Sequence, residues 1–372
     1  MPARILHIVS FDYPFPPVYG GTIEVFSKLR PLHESGVEIH LHCFSDQLPA
    51  QTATDTYCAR IYYYRNARHA FDLLSWLPFS VQTRDSAQLR KNIEALPGPI
   101  LFEGLKTTYG VFKNWFADQR LILRLHNIEH LYFLGIARSE TRWSHKISYY
   151  LEGIKYRRYE KIIGKFNRVA ALSHFEQQYV SRHYLPADYI PVFHGNETVA
   201  PLEGMGQYAL YHGDLRMSDN RRVAESLVDL FREIPDVTLV IAGNADARAH
   251  FENYSDGLKN VRYETLRDFE HLKQLLGQAH INLVFSFQQS GTKLKLMNAL
   301  FYSRFCVINS NVMDDALIQP LCLSAESPAE IRAHIDRLKH QPFEDYGRRK
   351  SVLETHMSDR ENARKLLDLI FE

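Results

Sequence analysis

Short apolar runs alternate with segments of helical spacing along the whole chain. In the first half the runs are RILHIVS (4–10), EIHLHCF (38–44), RIYYYR (60–65), PILFEG (99–104), LILRLHN (121–127), RVAALS (168–173) and YIPVFHG (189–195). The second half repeats the style with YALYHGDL (208–215), VTLVIAGN (237–244), NVRYE (260–264), INLVFS (281–286) and FCVINS (305–310). Between them, GTIEVFSKLRPLHESG, SAQLRKNIEAL, NRRVAESLVDLFREI, FEHLKQLLGQA and TKLKLMNALFYS place apolar residues three and four apart. Near-continuous apolar strands separated by helices predict parallel sheets covered on both faces, an α/β fold of doubly wound, Rossmann-like domains.

The pattern lapses over HGNETVAPLEGMGQ (194–207), which is rich in glycine and polar residues and carries no apolar period. Such a stretch reads as an interdomain linker. It predicts a first domain over residues 1–198 and a second over 199–352. Doubly wound sheets bind ligands beyond the carboxyl ends of their strands. Two such domains are therefore expected to face a central cleft, with strand-ending residues as the ones to inspect. The segment 129–164, EHLYFLGIARSETRWSHKISYYLEGIKYRRYEKIIG, predicts one long helix. Lys146, Lys155, Arg157, Arg158 and Lys161, with Lys165 just beyond, lie among its tyrosines. A basic, aromatic helix can lie on an anionic membrane surface. Glu152 and Glu160 interrupt the charge and favour a packing helix with one solvated face.

Composition narrows the function classes. The chain has 372 residues, 45% hydrophobic and 23% charged, with a formal charge of +1. That is an ordinary globular composition with no global field to recruit nucleic acid or membrane, leaving only local basic patches. The cysteines, Cys43, Cys58, Cys306 and Cys322, form no CxxC pair, so no zinc site is expected, and reduced thiols fit a cytoplasmic protein. The opening residues MPARILHIVSFDYPFPP lack the features of a signal peptide, and no apolar window is long enough to span a bilayer.

Three stretches carry candidate chemistry. SGTKLKLMNAL (290–300) follows the buried run INLVF and opens a helix. Ser290 can cap that helix, Gly291 permits close backbone approach, and free amides at a helix start bind phosphate. Lys293 and Lys295 stand at the positive end of the helix dipole, where they are unfavourable unless an anion joins them. Lysines reaching solvent are the plain structural reading. The stretch is neither a P-loop nor a GxGxxG fingerprint. PFPPVYGGTIEVFSKL (14–29) delivers Gly20 and Gly21 to the start of another helix. LRLHNIEH (123–130) delivers His126 and Asn127 at a strand's carboxyl end.

Taken in order, these motifs resemble the bacterial GT-B glycosyltransferases of the retaining group 1, or family 4, class. HIVSFDYPFPPVYGGTIEVFSKLRPLHESGVEIHL resembles the family's opening strand, Gly-Gly loop and first helix. LHNIEH with YRRYEKIIGKFNRVAALSHFEQQYV resembles its middle section, and PVFHGNE its hinge. YHGDLRMSDNRRVAESLV, VTLVIAGN and INLVFSFQQSGTKLKLMNALFYSRFCVIN resemble its donor-side elements. The resemblance spans nearly the whole chain.

It implies a retaining glycosyltransferase that needs neither metal nor other cofactor. Such an enzyme moves a sugar from a nucleoside-diphosphate sugar to a saccharide or lipid-linked acceptor in bacterial surface glycan synthesis. It implies a cytoplasmic location, peripheral at the inner membrane face, no nucleic-acid partner, and a last helix (353–372) that crosses back to the first domain. His126 and Lys295 are the implied catalytic residues. Gly21, Arg216, Asn220, Gly243, Glu264, Gln289, Ser290, Gly291, Thr292, Lys293 and Asn298 are implied to bind the donor, with the base near Gly243 and Glu264. Gly20 and Asn127 are implied to meet the acceptor.

The chain departs from the family at informative places. The family usually carries two glutamates eight positions apart, where this chain has Ser290 and Asn298. Asn298 can still hydrogen-bond ribose, whereas Ser290 cannot replace a carboxylate. Asp214 stands where an arginine is common, leaving Arg216, Arg221 or Arg222 to compensate. A catalytically degraded GT-B protein that binds a glycan or protein partner is therefore the alternative. A sugar-nucleotide epimerase ranks last, since no carboxylate pair presents itself.

Overall fold

The computed structural model describes residues 4–46, 53–68, 75–140, 142–291 and 294–372. The chain divides into two compact units: Met1–Gly195 with Ser290–Thr292 and Ser358–Glu372, and Asn196–Gln289 with Lys293–Met357.

Among the described residues the first unit holds one parallel sheet. Its strands are β1 (Arg4–Ser10), β2 (Val37–Phe44), β3 (Arg60–Tyr64), β4 (Ile100–Glu103), β5 (Leu121–Leu125), β6 (Arg168–Ala171) and β7 (Asp188–Tyr189), in the order β3-β2-β1-β4-β5-β6-β7. Alternate residues feed two cores. Val9, Phe102 and Leu123 enter one, and their neighbours Ile8, Leu101 and Ile122 enter the other. That double burial is why the runs read as continuously apolar. The second core is completed by Ala363, Leu366, Leu367 and Ile370 from the helix Asp359–Phe371.

The run 189–195 pairs only at its start. Pro191 offers no amide to a ladder, and buried side chains take over the neighbouring backbone groups. Arg124 Nη1 and Nη2 donate to the carbonyls of Ile190 and Pro191 at 2.7 and 2.8 Å, and Glu24 accepts from the Phe193 amide at 2.5 Å. Asp359 accepts from the amides of His194 and Gly195 at 3.0 and 2.8 Å. Gly195 itself has φ 75°.

The expected long helix 129–164 is two helices, Glu129–Ser139 and Trp143–Tyr159, followed by a 3₁₀ turn, Glu160–Lys165. Glu140 and Arg142 are extended, with ψ of 133° and 117°. The Glu140 carboxylate accepts from the Arg142 amide at 2.9 Å, a local bond that competes with helix continuation.

A hydrogen-bonded chain crosses β1, β2 and β3. His7 Nε2 donates to the Leu96 carbonyl at 2.7 Å, so His7 Nδ1 must accept from His42 Nε2 at 2.9 Å. His42 Nδ1 then accepts from Tyr64 OH at 2.8 Å, whose oxygen accepts from Asn92 at 2.8 Å. A carbonyl at one end and an amide at the other thus fix both imidazoles as neutral tautomers.

The second unit's sheet, again among the described residues, comprises β8 (Tyr208–His212), β9 (Leu239–Gly243), β10 (Val261–Thr265), β11 (Ala279–Val284), β12 (Phe305–Ile308) and β13 (Leu323–Ser324). Their order is β10-β9-β8-β11-β12-β13, all parallel. The two-residue β13 carries no apolar run and left no trace in the sequence pattern.

Candidate functional site

In each sheet the strand order reverses once, between β1 and β4 in the first unit and between β8 and β11 in the second. A doubly wound sheet opens a crevice at such a switch point, beyond the carboxyl ends of the strands.

At the second unit's switch point β8 ends in His212, with Gly213 next, and the segment after β11 leads to the helix Leu294–Tyr302. Lys295 stands in that helix's first turn. Its Nζ donates to Asn220 Oδ1 at 2.9 Å and Tyr211 OH at 3.4 Å. Asn220 in turn donates to the Asp214 carbonyl at 2.8 Å. His212 is buried, and its Nε2 has no hydrogen-bond partner. Burial, reinforced by the Lys295 ammonium, drives its pKa down to about 3, so the ring is neutral. A Cβ on Gly213 would lie 3.3 Å from Lys295 Cδ, so glycine keeps the lysine stem close. Lys295 and Asn220 therefore come together, joined by Tyr211 and His212, which sequence reasoning missed. An unusual histidine ending a buried strand was the available signal.

The other residues expected on the donor side have partners of their own or lie exposed. Arg216 is exposed and paired with Asp214 through bonds of 2.8 and 2.7 Å. Asn298 accepts from Asn196 at 3.1 Å. Gly243 is closed over: a Cβ there would meet Leu215 Cδ1 at 2.6 Å and Tyr263 OH at 2.8 Å. Glu264 on β10 faces Arg262 at 4.0 Å. Gln289 is exposed. Asn244, also missed, accepts from the Leu215 amide at 3.0 Å, and its Nδ2 is buried without a partner.

In the first unit, His126 follows β5 and is buried. Its Nε2 donates to Glu103 Oε2 at 2.7 Å. Glu103 Oε1 accepts from Lys28 at 2.7 Å, Lys28 lies 3.1 Å from Glu24 Oε1, and Arg124 Nε donates to that same oxygen at 2.7 Å. Burial alone would raise Glu103, but Lys28 and His126 overcome it and hold the carboxyl below its usual range. Glu24 likewise falls to about 2, with Arg124 and then Lys28 outweighing burial. His126 is lowered by burial despite Glu103. Two carboxylates, two cations and a neutral imidazole thus make a neutral, fully buried network. It fixes His126 with Nε2 protonated. The charged residues Glu103 and Arg124 inside apolar runs were its sequence signal.

Around His126, Phe11 packs edge-on at 5.5 Å and carries Lys106 Nζ 3.6 Å from its ring centroid. A Cβ on Gly21 would meet Phe11 Cζ at 2.6 Å, so that glycine serves close packing, while Gly20 is exposed at the helix start. Glu129, in the same LHNIEH motif, was also missed. Burial pushes its carboxyl up to about 7, against the pull of Lys106.

Ser290 and Gly291 belong to this unit. Ser290 lies ahead of the helix whose described part begins at Leu294. Its Oγ donates to Glu176 Oε1 at 2.9 Å and accepts from the Ile128 amide at 2.8 Å. The Gly291 amide donates to the same Glu176 oxygen at 2.6 Å. Gly291 has φ 79°, and a Cβ there would lie 2.4 Å from Asn127 Oδ1, so only glycine fits. Ser290, Gly291 and Asn127 are thus brought together, with a buried carboxylate on the amide expected to meet phosphate. Thr292 and Lys293 lie outside the described residues.

No family model matches the chain. An uncharacterized 44.6 kDa protein in the cps region of Klebsiella pneumoniae is 26% identical over 260 residues, which span 65% of this chain and 65% of that protein's length. Among solved structures, a sucrose-phosphate synthase from Thermosynechococcus elongatus superposes with TM-score 0.63 at 15% identity, covering 99% of this chain and 95% of that one. The trehalose-6-phosphate synthase OtsA gives 0.64 at 11%, covering 98% of each. WaaG, a glycosyltransferase involved in lipopolysaccharide biosynthesis, gives 0.60 at 12%, covering 98% and 95%. The fold is GT-B.

Within the GT-B fold, each unit brings its own chemistry to its own sheet. The second offers an ammonium, an amide side chain and an unpartnered imidazole nitrogen at one switch point. Such a set can hold an anion with attached hydroxyls. The first offers an oriented neutral imidazole beside a carboxyl that titrates near neutrality. Among the described residues no cluster of His, Cys, Asp or Glu is arranged to hold a metal ion.

Proposed function

We propose that the protein is a retaining glycosyltransferase of the group 1, family 4 class. It moves a sugar from a nucleoside-diphosphate sugar to a saccharide or lipid-linked acceptor in bacterial surface glycan synthesis, without a metal. The observation that carries this reading is the placement of Lys295, Asn220 and His212 at the switch point of the second sheet of a GT-B fold. In support, the similar HepE of Anabaena was crystallised with UDP-glucose, at TM-score 0.60 and 12% identity.

In this reading the bond between the anomeric carbon and the diphosphate breaks. The charge left on the leaving oxygen is stabilised by Lys295, a preorganised donor. The acceptor hydroxyl attacks on the face the diphosphate leaves, and its proton passes to a phosphate oxygen. No protein nucleophile is needed, so Ser290 in place of a glutamate is tolerated.

The test is donor turnover with UDP-, GDP- and dTDP-sugars, with and without EDTA and across saccharide and lipid-linked acceptors. Turnover that survives EDTA, keeps anomeric configuration and falls in Lys295→Ala supports the proposal. Ser290 and Asn298 favour a second reading, a GT-B protein that binds a glycan or protein partner without chemistry. Nucleotide binding without turnover of any donor would establish it.

A further inference from the structure

The helix Trp143–Tyr159 is apolar on two opposite faces. Gly153, Tyr156 and Tyr159 form the inner face, where Tyr156 stacks on Phe133 at 5.3 Å. On the outer face Trp143, Ile147, Tyr150 and Leu151 are 76%, 50%, 54% and 52% exposed. Steps of four, three and one residues place them on one stripe, two turns long. Lys146, Arg157 and Arg158 are exposed on the same side, and Lys161 follows. The acidic residues that argued against a membrane role in the sequence are turned away from it. Glu152 accepts from the Ser80 amide at 3.5 Å. Glu160 is buried and accepts from His130 at 2.7 Å and Tyr179 at 3.0 Å. Glu140, just before the helix, folds back onto the Arg142 amide.

We propose that this face lies on an anionic phospholipid bilayer, with Trp143, Ile147, Tyr150 and Leu151 at the headgroup boundary and Lys146, Arg157 and Arg158 against lipid phosphates. Charge complementarity selects this occupant: cations flank the stripe and the helix's carboxylates face inward. Trp and Tyr are at home in that interfacial layer, and basic residues beside it are drawn to anionic headgroups. No described helix is long and apolar enough to cross a membrane, so the contact lies in the interface plane. The inference does not depend on the transfer reaction proposed above.

The test is flotation of the full chain with vesicles of phosphatidylcholine, alone or mixed with phosphatidylglycerol. Binding is expected to be at least about tenfold tighter to the anionic vesicles and to weaken with added salt. Tryptophan emission should shift to the blue on binding, and Trp143→Phe should remove the shift while binding persists. The pair Trp143→Ser and Ile147→Ser, and separately the triple Lys146→Glu, Arg157→Glu and Arg158→Glu, should abolish binding with thermal melts unchanged. Equal affinity for neutral and anionic vesicles, or no binding to either, overturns the proposal. So does a concentration-dependent dimer abolished by the Trp143, Ile147 pair, which would assign the face to a second copy.

Discussion

Lys295 shows how a single residue can be read from sequence and then explained by structure. A lysine at the positive end of a helix is unfavourable until something holds it, and Asn220 and Tyr211 do so with oxygen acceptors. Replacing it by alanine is expected to weaken nucleoside-diphosphate binding by roughly 10- to 100-fold, the worth of a charged hydrogen bond, as measured by calorimetry. Glu129 makes the opposite case, a residue whose chemistry was invisible without burial. Its carboxyl has an ordinary value of 4.5 and stands at about 7 in the fold. The folded protein therefore holds a proton that the unfolded chain releases, and stability falls as pH rises from 4.5 through 7. Glu129→Gln is expected to stabilise the protein by on the order of 3 kcal/mol at pH 8 and to have no such effect below pH 4.5, as urea denaturation would show. Gly291→Ala should cost about 1–3 kcal/mol, because a positive φ and contact with Asn127 both penalise a Cβ.

At the scale of elements, the inner strands β1, β2, β4, β5, β8, β9 and β11 were legible because both their faces are buried. The run 189–195 was apolar for the same reason and yet is mostly not a strand. Arg124 and Glu24 satisfy its backbone, and sequence periodicity cannot foresee such distant partners. The helix after residue 129 was misread as continuous because its break is a local bond from Glu140 to Arg142, with no proline or glycine to mark it. The candidate residues stood out as motifs, but the network behind His126 did not, since Lys28, Glu103 and Arg124 meet across three separate elements. Arg124→Leu should destabilise by about 3–5 kcal/mol by leaving Glu24 buried and unpaired. The imidazole chain across β1, β2 and β3 predicts an acid limit. Burial lowers His7 from its ordinary 6.5 to about 4 and lowers His42 as well. The stability of the neutral chain is complete above pH 6.5 and declines as pH falls toward 4, on the order of 3 kcal/mol for His7. His7→Phe should flatten that slope in thermal melts across this range.

At the scale of the molecule, the doubly wound units follow from alternating strands and helices, and the first gives way to the second between Gly195 and Asn196. The last helix completes the first unit's core. A buried Leu or Ile contributes roughly 1.5–3 kcal/mol, so losing Leu366, Leu367 and Ile370 removes a large share of a domain's usual margin of about 5–15 kcal/mol. Residues 1–195 expressed alone should be insoluble or molten by circular dichroism and dye binding, and fusing residues 358–372 back should restore a cooperative melt.

That return of the chain also orders events during synthesis. The ribosome releases every residue of the second unit before it reaches Asp359, whose carboxylate fastens His194 and Gly195. The unit begun first is therefore finished last. Its nascent sheet waits with part of one hydrophobic face uncovered, a window in which chaperone capture should be detectable on stalled chains and should close when the helix Asp359–Phe371 emerges.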